Sequence, residues 1–112
     1  MHPRVIYQVL VQVAPEAERS WDEWNSRQHV PDMLRQPGFV RATKYRSEPS
    51  GGYASWPEYV IQYEVDSRTA LEAYLAGNAA VAMRRDHEEH FGEVTRLSRR
   101  ILAPHAALER PQ

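Results

Sequence analysis

The sequence predicts an α+β fold: a four-stranded antiparallel sheet with two helical segments on one face, in the order β-α-β-β-α-β. Segments with a two-residue apolar period read as strands, and two segments with helical spacing separate the first strand from the second and the third from the fourth. Proline and glycine clusters mark the joins.

Val5 to Val13 places Val5, Tyr7, Val9, Val11 and Val13 on one face and Ile6, Gln8, Leu10 and Gln12 on the other. That alternation of β-branched and aromatic residues fits a strand buried on one side and half covered on the other. Ala14-Pro15-Glu16 breaks the strand, with Pro15 suited to a first helical turn. Glu16 to Val30 then follows helical spacing, with Ala17, Trp21, Trp24 and Gln28 on the inward stripe. Pro31 predicts an end or kink near Val30, because a helix-interior proline loses a hydrogen bond. A further turn, Asp32-Met33-Leu34, follows, and Pro37-Gly38 punctuates the chain.

Phe39 to Arg46 alternates again, with Phe39, Arg41, Thr43 and Tyr45 sharing a face. Pro49-Ser50-Gly51-Gly52 reads as a loop. Tyr59 to Val65 is the next strand, with Tyr59, Ile61, Tyr63 and Val65 together. Asp66 or Ser67 can cap the following helix, whose stripe is Ala70, Leu71, Tyr74 and Leu75. Gly77-Asn78 interrupts it, and Ala79 to Phe91 resumes with Val81, Met83, His87 and Phe91 inward. Gly92 suits a helix C′ position. Val94 to Leu102 is the last strand, so residues 1–103 form one domain and 104–112 a tail. This order is the split βαβ, or ferredoxin-like, pattern. Its second sheet face still carries apolar side chains, and packing on a second copy would cover them.

Composition narrows the function. Fourteen basic side chains face fifteen acidic ones for a net charge of −1, so a nucleic-acid partner is not expected. No cysteine is present, which excludes disulfides, thiolate metal sites and a cysteine nucleophile. No apolar run reaches membrane-span length, and Met1-His2-Pro3-Arg4 leads into a strand without the apolar core of a signal peptide. The reading is a cytoplasmic protein. A glycine-rich phosphate loop, a dinucleotide fingerprint and a nucleophile elbow are all missing.

The stretch Trp21-Asp22-Glu23-Trp24 … His29-Val30-Pro31-Asp32-Met33-Leu34 … Pro37-Gly38-Phe39 … Ala42 resembles the first half of the dimeric α+β barrel superfamily. That group includes antibiotic-biosynthesis monooxygenases, EthD-like proteins, small polyketide cyclases and muconolactone-type isomerases. Gln62-Tyr63-Glu64-Val65, Leu71 … Tyr74-Leu75, Phe91-Gly92 and Arg99-Arg100-Ile101-Leu102 extend the likeness to one uncharacterised bacterial branch. The resemblance implies a homodimer with a pocket between each sheet and its helices. It also implies chemistry without metal or organic cofactor on aromatic or polyketide-like molecules. His29 matches the histidine that often faces that pocket near the end of the first helix.

As a residue, His29 suits acid–base chemistry because its pKa lies near neutrality. Asn25, one helical turn earlier, and Tyr45 are expected to orient a substrate beside it. The other reading of His29 is a histidine stabilised by a helix C-terminus. Tyr7, Trp21, Trp24, Gln28, Tyr63, His87, His90 and Phe91 are expected to line the pocket, although aromatics serve equally as core. His87 and His90, three apart, match no complete zinc pattern, and no metal site is expected. The expected function is a cofactor-independent cyclase, isomerase or monooxygenase. The alternative is a non-catalytic small-molecule-binding or stress-related dimeric module.

Overall fold

The computed structural model describes residues 4–47 and 56–112. The elements run β1 (Val5–Val13), a 3₁₀ turn (Pro15–Ala17), α1 (Glu18–Trp24), a π turn (Asn25–His29), α2 (Val30–Leu34), β2 (Phe39–Ser47) and β3 (Glu58–Val65). Then follow α3 (Arg68–Ala76), α4 (Asn78–Phe91), a second 3₁₀ turn (Gly92–Val94) and β4 (Thr95–Leu102). The expected loop Pro49-Ser50-Gly51-Gly52 lies outside the described residues.

All strand pairs are antiparallel in the order β2-β3-β1-β4, the ferredoxin-like arrangement. β1 is central. Val5, Tyr7, Val9, Val11 and Val13 are all buried, and they lie opposite Tyr59, Ile61, Tyr63 and Val65 of β3 on the helix-covered face. Trp21 and Met33 from the first helical stretch and Leu71, Tyr74 and Ala80 from the second close this core.

Three local features decide which side chains reach the core. The first is at Pro31. The chain does not end at Val30 but stays helical to Leu34. The irregularity falls earlier, as a π turn in which the Val30 N–H donates to the Asn25 carbonyl. Pro31 then sits in the first turn of α2, where a missing N–H is harmless. The wider π turn delays the inward stripe by about one residue relative to a 3.6-residue helix. The inward positions become Trp21, Asn25, His29 and Met33, and Gln28, expected inside, is exposed.

The second is a bulge at the start of β2. Phe39 pairs with Val65, but Arg41 rather than Val40 pairs with Glu64. One extra residue reverses the facing of everything downstream. Ala42 and Lys44 therefore join Phe39 on the helix-covered face, and Tyr45 turns to the opposite face, 50% exposed.

The third is the break at Gly77. Ser67 caps α3, its Oγ accepting from the Ala70 N–H. The chain is extended at Gly77 before α4 begins, and this resets the helical phase. Ala80 is buried, while Val81, expected inward, is 53% exposed. Gly92 also departs from expectation: its backbone is right-handed and leads into the 3₁₀ turn. Among the described residues Gly38 is the glycine whose φ, +84°, lies in the left-handed region.

Candidate functional site

A cleft open to solvent lies between the helix-covered face of the sheet and the helices. β1 supplies Tyr7, Val9 and Val11 to its floor, and β3 supplies Ile61 and Tyr63. Asn25 and His29 of the π turn and Met33 of α2 form one wall. Tyr74 of α3 and Met83, Arg84 and His87 of α4 form the other, and Leu97 and Arg99 of β4 complete the rim.

Three of the polar groups, Asn25, His29 and His87, are largely buried. Asn25 is 2% exposed and His87 4% exposed, and the His29 and His87 rings meet edge-on with centroids 6.2 Å apart. Asn25 Oδ1, His29 Nδ1 and His87 Nε2 are all buried without a hydrogen-bond partner. A buried polar atom left unpaired costs about 1–3 kcal/mol, so three at one cleft mark a place shaped for something other than stability.

Trp24 forms the back of this group. Its ring stacks on His29 at 5.0 Å and lies 5.7 Å from both His87 and His90 and 5.1 Å from Phe91. Burial is the main force on His29, lowering its pKa to about 4, and the neighbouring His87 lowers it further. His87 is lowered as well, first by burial and then by the Arg99 charge. Both rings are therefore neutral at pH 7. Burial also raises the Tyr63 and Tyr74 hydroxyls, Tyr74 to about 12, so both stay protonated. The Tyr74 hydroxyl lies 3.1 Å from Met33 Sδ.

The expected site residues divide three ways. His29, Asn25, Tyr7, Tyr63 and His87 come together at the cleft. Trp24, His90 and Phe91 do not line it; they stand behind the histidines. Trp21, Gln28 and Tyr45 lie elsewhere. Trp21 is fully buried against Tyr59, with the Lys44 ammonium 4.7 Å from its ring. The π turn sends Gln28 to solvent, and the β2 bulge sends Tyr45 to the other sheet face.

Sequence reasoning missed Met33, Tyr74, Met83, Arg84 and Arg99 as lining residues. For Arg99 the signal was present: strand alternation with Leu97 and Ile101 puts it on the face of Val9, its partner across the ladder. Among the described residues no group of three or more histidine, aspartate or glutamate side chains is arranged to hold a metal ion. No helix among them is long and apolar enough to cross a membrane.

The family model described as a domain of unknown function, DUF4286, matches residues 4–105. No curated protein matches the chain. Solved structures do. An ethyl tert-butyl ether D (EthD) family protein from Bacillus halodurans is 18% identical with a TM-score of 0.67, over 90% of this chain and 99% of that one. SnoaB, a cofactor-independent oxygenase from Streptomyces nogalater, is 18% identical with a TM-score of 0.65, over 96% and 99%. A protein from Deinococcus radiodurans, provisionally assigned as an antibiotic biosynthesis monooxygenase, is 15% identical with a TM-score of 0.66, over 96% and 99%. The fold is thus the ferredoxin-like fold that the sequence resemblance implied, shared with EthD-like and monooxygenase proteins.

Proposed function

From the premise that the chain belongs to the DUF4286 family, we propose that it is a cofactor-independent enzyme acting on a small aromatic or polyketide-like metabolite. The observation that carries this is the trio of buried, unpartnered polar atoms on Asn25, His29 and His87 in a cleft whose remaining lining, apart from Arg84 and Arg99, is apolar and aromatic. Such a cleft binds a flat apolar body and orients it by a few polar contacts.

His29 is the base. It is neutral at pH 7 and so is already in the form that accepts a proton. A conjugate acid near pKa 4 makes it a weak base in the empty cleft, but a negative charge forming on the substrate beside it favours the imidazolium. The proton would leave an acidic C–H or O–H of the substrate and move to the imidazole. The electron pair would delocalise into the substrate as an enolate or phenolate, which Asn25 and His87 are placed to orient. From that anion the molecule can reprotonate elsewhere, cyclise, or react with dioxygen. The solved oxygenase of the same fold makes the last course the first to test.

The test is a panel of enolisable fused-ring hydroxyaromatics incubated with metal-stripped protein, followed by product mass and oxygen uptake. Turnover that falls at least about 100-fold in His29→Ala fits a general base, whose usual contribution is about 10²–10⁴-fold. Full activity in that variant would exclude the mechanism. A second reading, a binding module, is favoured by one fact: the weak basicity of His29 suits a hydrogen-bond partner as well as a base. Ligand binding without chemical change across the panel would select it.

The assembly we propose is a cytoplasmic homodimer built on the helix-free sheet face. Ile6, Leu10 and Val60 lie there with the half-exposed Tyr45, an apolar group that a second copy would cover.

A further inference from the structure

We propose that the cleft selects planar organic acids, with the carboxylate held at the mouth by Arg84 of α4 and Arg99 of β4 and the ring edge turned toward Asn25, His29 and His87. The charge distribution carries the inference. The chain as a whole has a net charge of −1, yet the cleft is lined by two arginines and no aspartate or glutamate. Six arginines are engaged: Arg4 and Arg41 on Glu64, Arg46 on Glu18, Arg35 on Asp32, Arg68 on Glu72 and Arg19 on Glu23; of the arginines in no ion pair among the described residues, Arg84 and Arg99 are the two that line the cleft. Among the described residues neither Arg84 nor Arg99 takes part in an ion pair. Asp86, whose charge reaches both histidines, is itself met by His90, with Nδ1 and Oδ1 3.3 Å apart.

A guanidinium without a partner at the rim of an apolar cleft is suited to a carboxylate, which it can hold through two parallel hydrogen bonds. The interior asks for a different chemistry. Asn25 Oδ1 is a buried acceptor and needs a donor, while His29 Nδ1 and His87 Nε2 each need a hydrogen-bond partner. A hydroxyl on the ring can donate to one and accept from another. Tyr7, Tyr63, Val9 and Ile61 of the lining offer an apolar, aromatic surface for a flat ring. The ligand class is therefore a hydroxylated aromatic acid, anionic at one end.

This inference rests on reading the cleft as a ligand site, but it does not depend on turnover. The test compares 6-hydroxy-2-naphthoate with 6-hydroxy-2-naphthamide, which carry the hydroxyl at the end opposite the carboxyl group and differ in charge and hardly in shape. Calorimetry at pH 7 and low salt is expected to show the acid binding at least about tenfold more tightly, a difference of about 1.4 kcal/mol. The preference should shrink in Arg84→Gln and in Arg99→Gln and vanish in the double variant. The affinity for the amide should stay unchanged there, which also shows that the variant is folded. Salt should weaken the acid and leave the amide. Equal binding of the two probes, a preference that survives the double substitution, or no binding of either would overturn the proposal. An acid preference with no turnover of any acid would leave this inference standing and remove the enzymatic one.

Discussion

Burial keeps the His29 ring uncharged in the folded chain, and this has a measurable consequence. Its pKa of about 4 lies below the ordinary value of 6.5, and that of His87 is lowered as well. The groups acting on the pair are Trp24 and the apolar walls, each other, Arg99, His90, and the opposing charges of Asp86, Asp32 and Glu88. Between pH 6.5 and 4 the unfolded chain therefore binds protons that the folded chain refuses. Stability is complete above about pH 6.5 and is lost as the pH falls toward 4. The His29 contribution is at most about 3 kcal/mol. Urea unfolding at pH 7 and pH 4.5 should show this loss. His29→Leu should reduce it by more than about 1 kcal/mol; an unchanged loss would mean that His29 is solvated. At Gly38 the expectation is steric. An added Cβ would stand 2.6 Å from Ala70 Cβ at a φ of +84°. Gly38→Ala should cost about 1–3 kcal/mol, read as a lower midpoint of thermal unfolding.

At the scale of elements, what the sequence reveals depends on whether a segment keeps its period. β1 and β3 alternate without interruption, and their faces, register and core residues are legible from Val5, Tyr7, Val9 and Tyr59, Ile61, Tyr63. Where the period slips, the reading fails by one residue. The π turn before Pro31 moves the inward stripe from Trp24 and Gln28 to Asn25 and His29, so these two reach the cleft and Gln28 is misplaced. The bulge at Val40 turns Tyr45 away, and nothing in the alternation of β2 signals it. The break at Gly77 exchanges Val81 for Ala80. Arg99 was legible from alternation but is easily taken for a solvated charge within the basic run Arg96 to Arg100, and it is indeed exposed at the cleft rim. Pro31 has no N–H to offer the Arg27 carbonyl, and we expect this to be what widens the turn and places His29. Pro31→Ala is expected to leave the fold intact and to shift the His29 imidazole resonances; an unaltered spectrum would show that packing on Trp24 alone holds the turn.

At the scale of the molecule, the helix-covered side holds the core and cleft, and the helix-free side holds the surface through which we propose a second copy binds. Light scattering should give twice the 13.0 kDa chain mass, and Leu10→Lys should return it to that of one chain. A single-chain mass for the unaltered protein at micromolar concentration would exclude the dimer. The proposed chemistry begins with one step, whatever follows it: transfer of a substrate proton to His29. Solvent exchange observes that step directly. In D₂O at pD 7, with an enolisable fused-ring hydroxyketone and metal-stripped protein, proton NMR should show loss of the acidic C–H signal at least about tenfold faster than without protein. His29→Gln should bring the rate back to the background. Exchange no faster than background, or undiminished in His29→Gln while the same ring still binds, would contradict the assignment of His29 as the base.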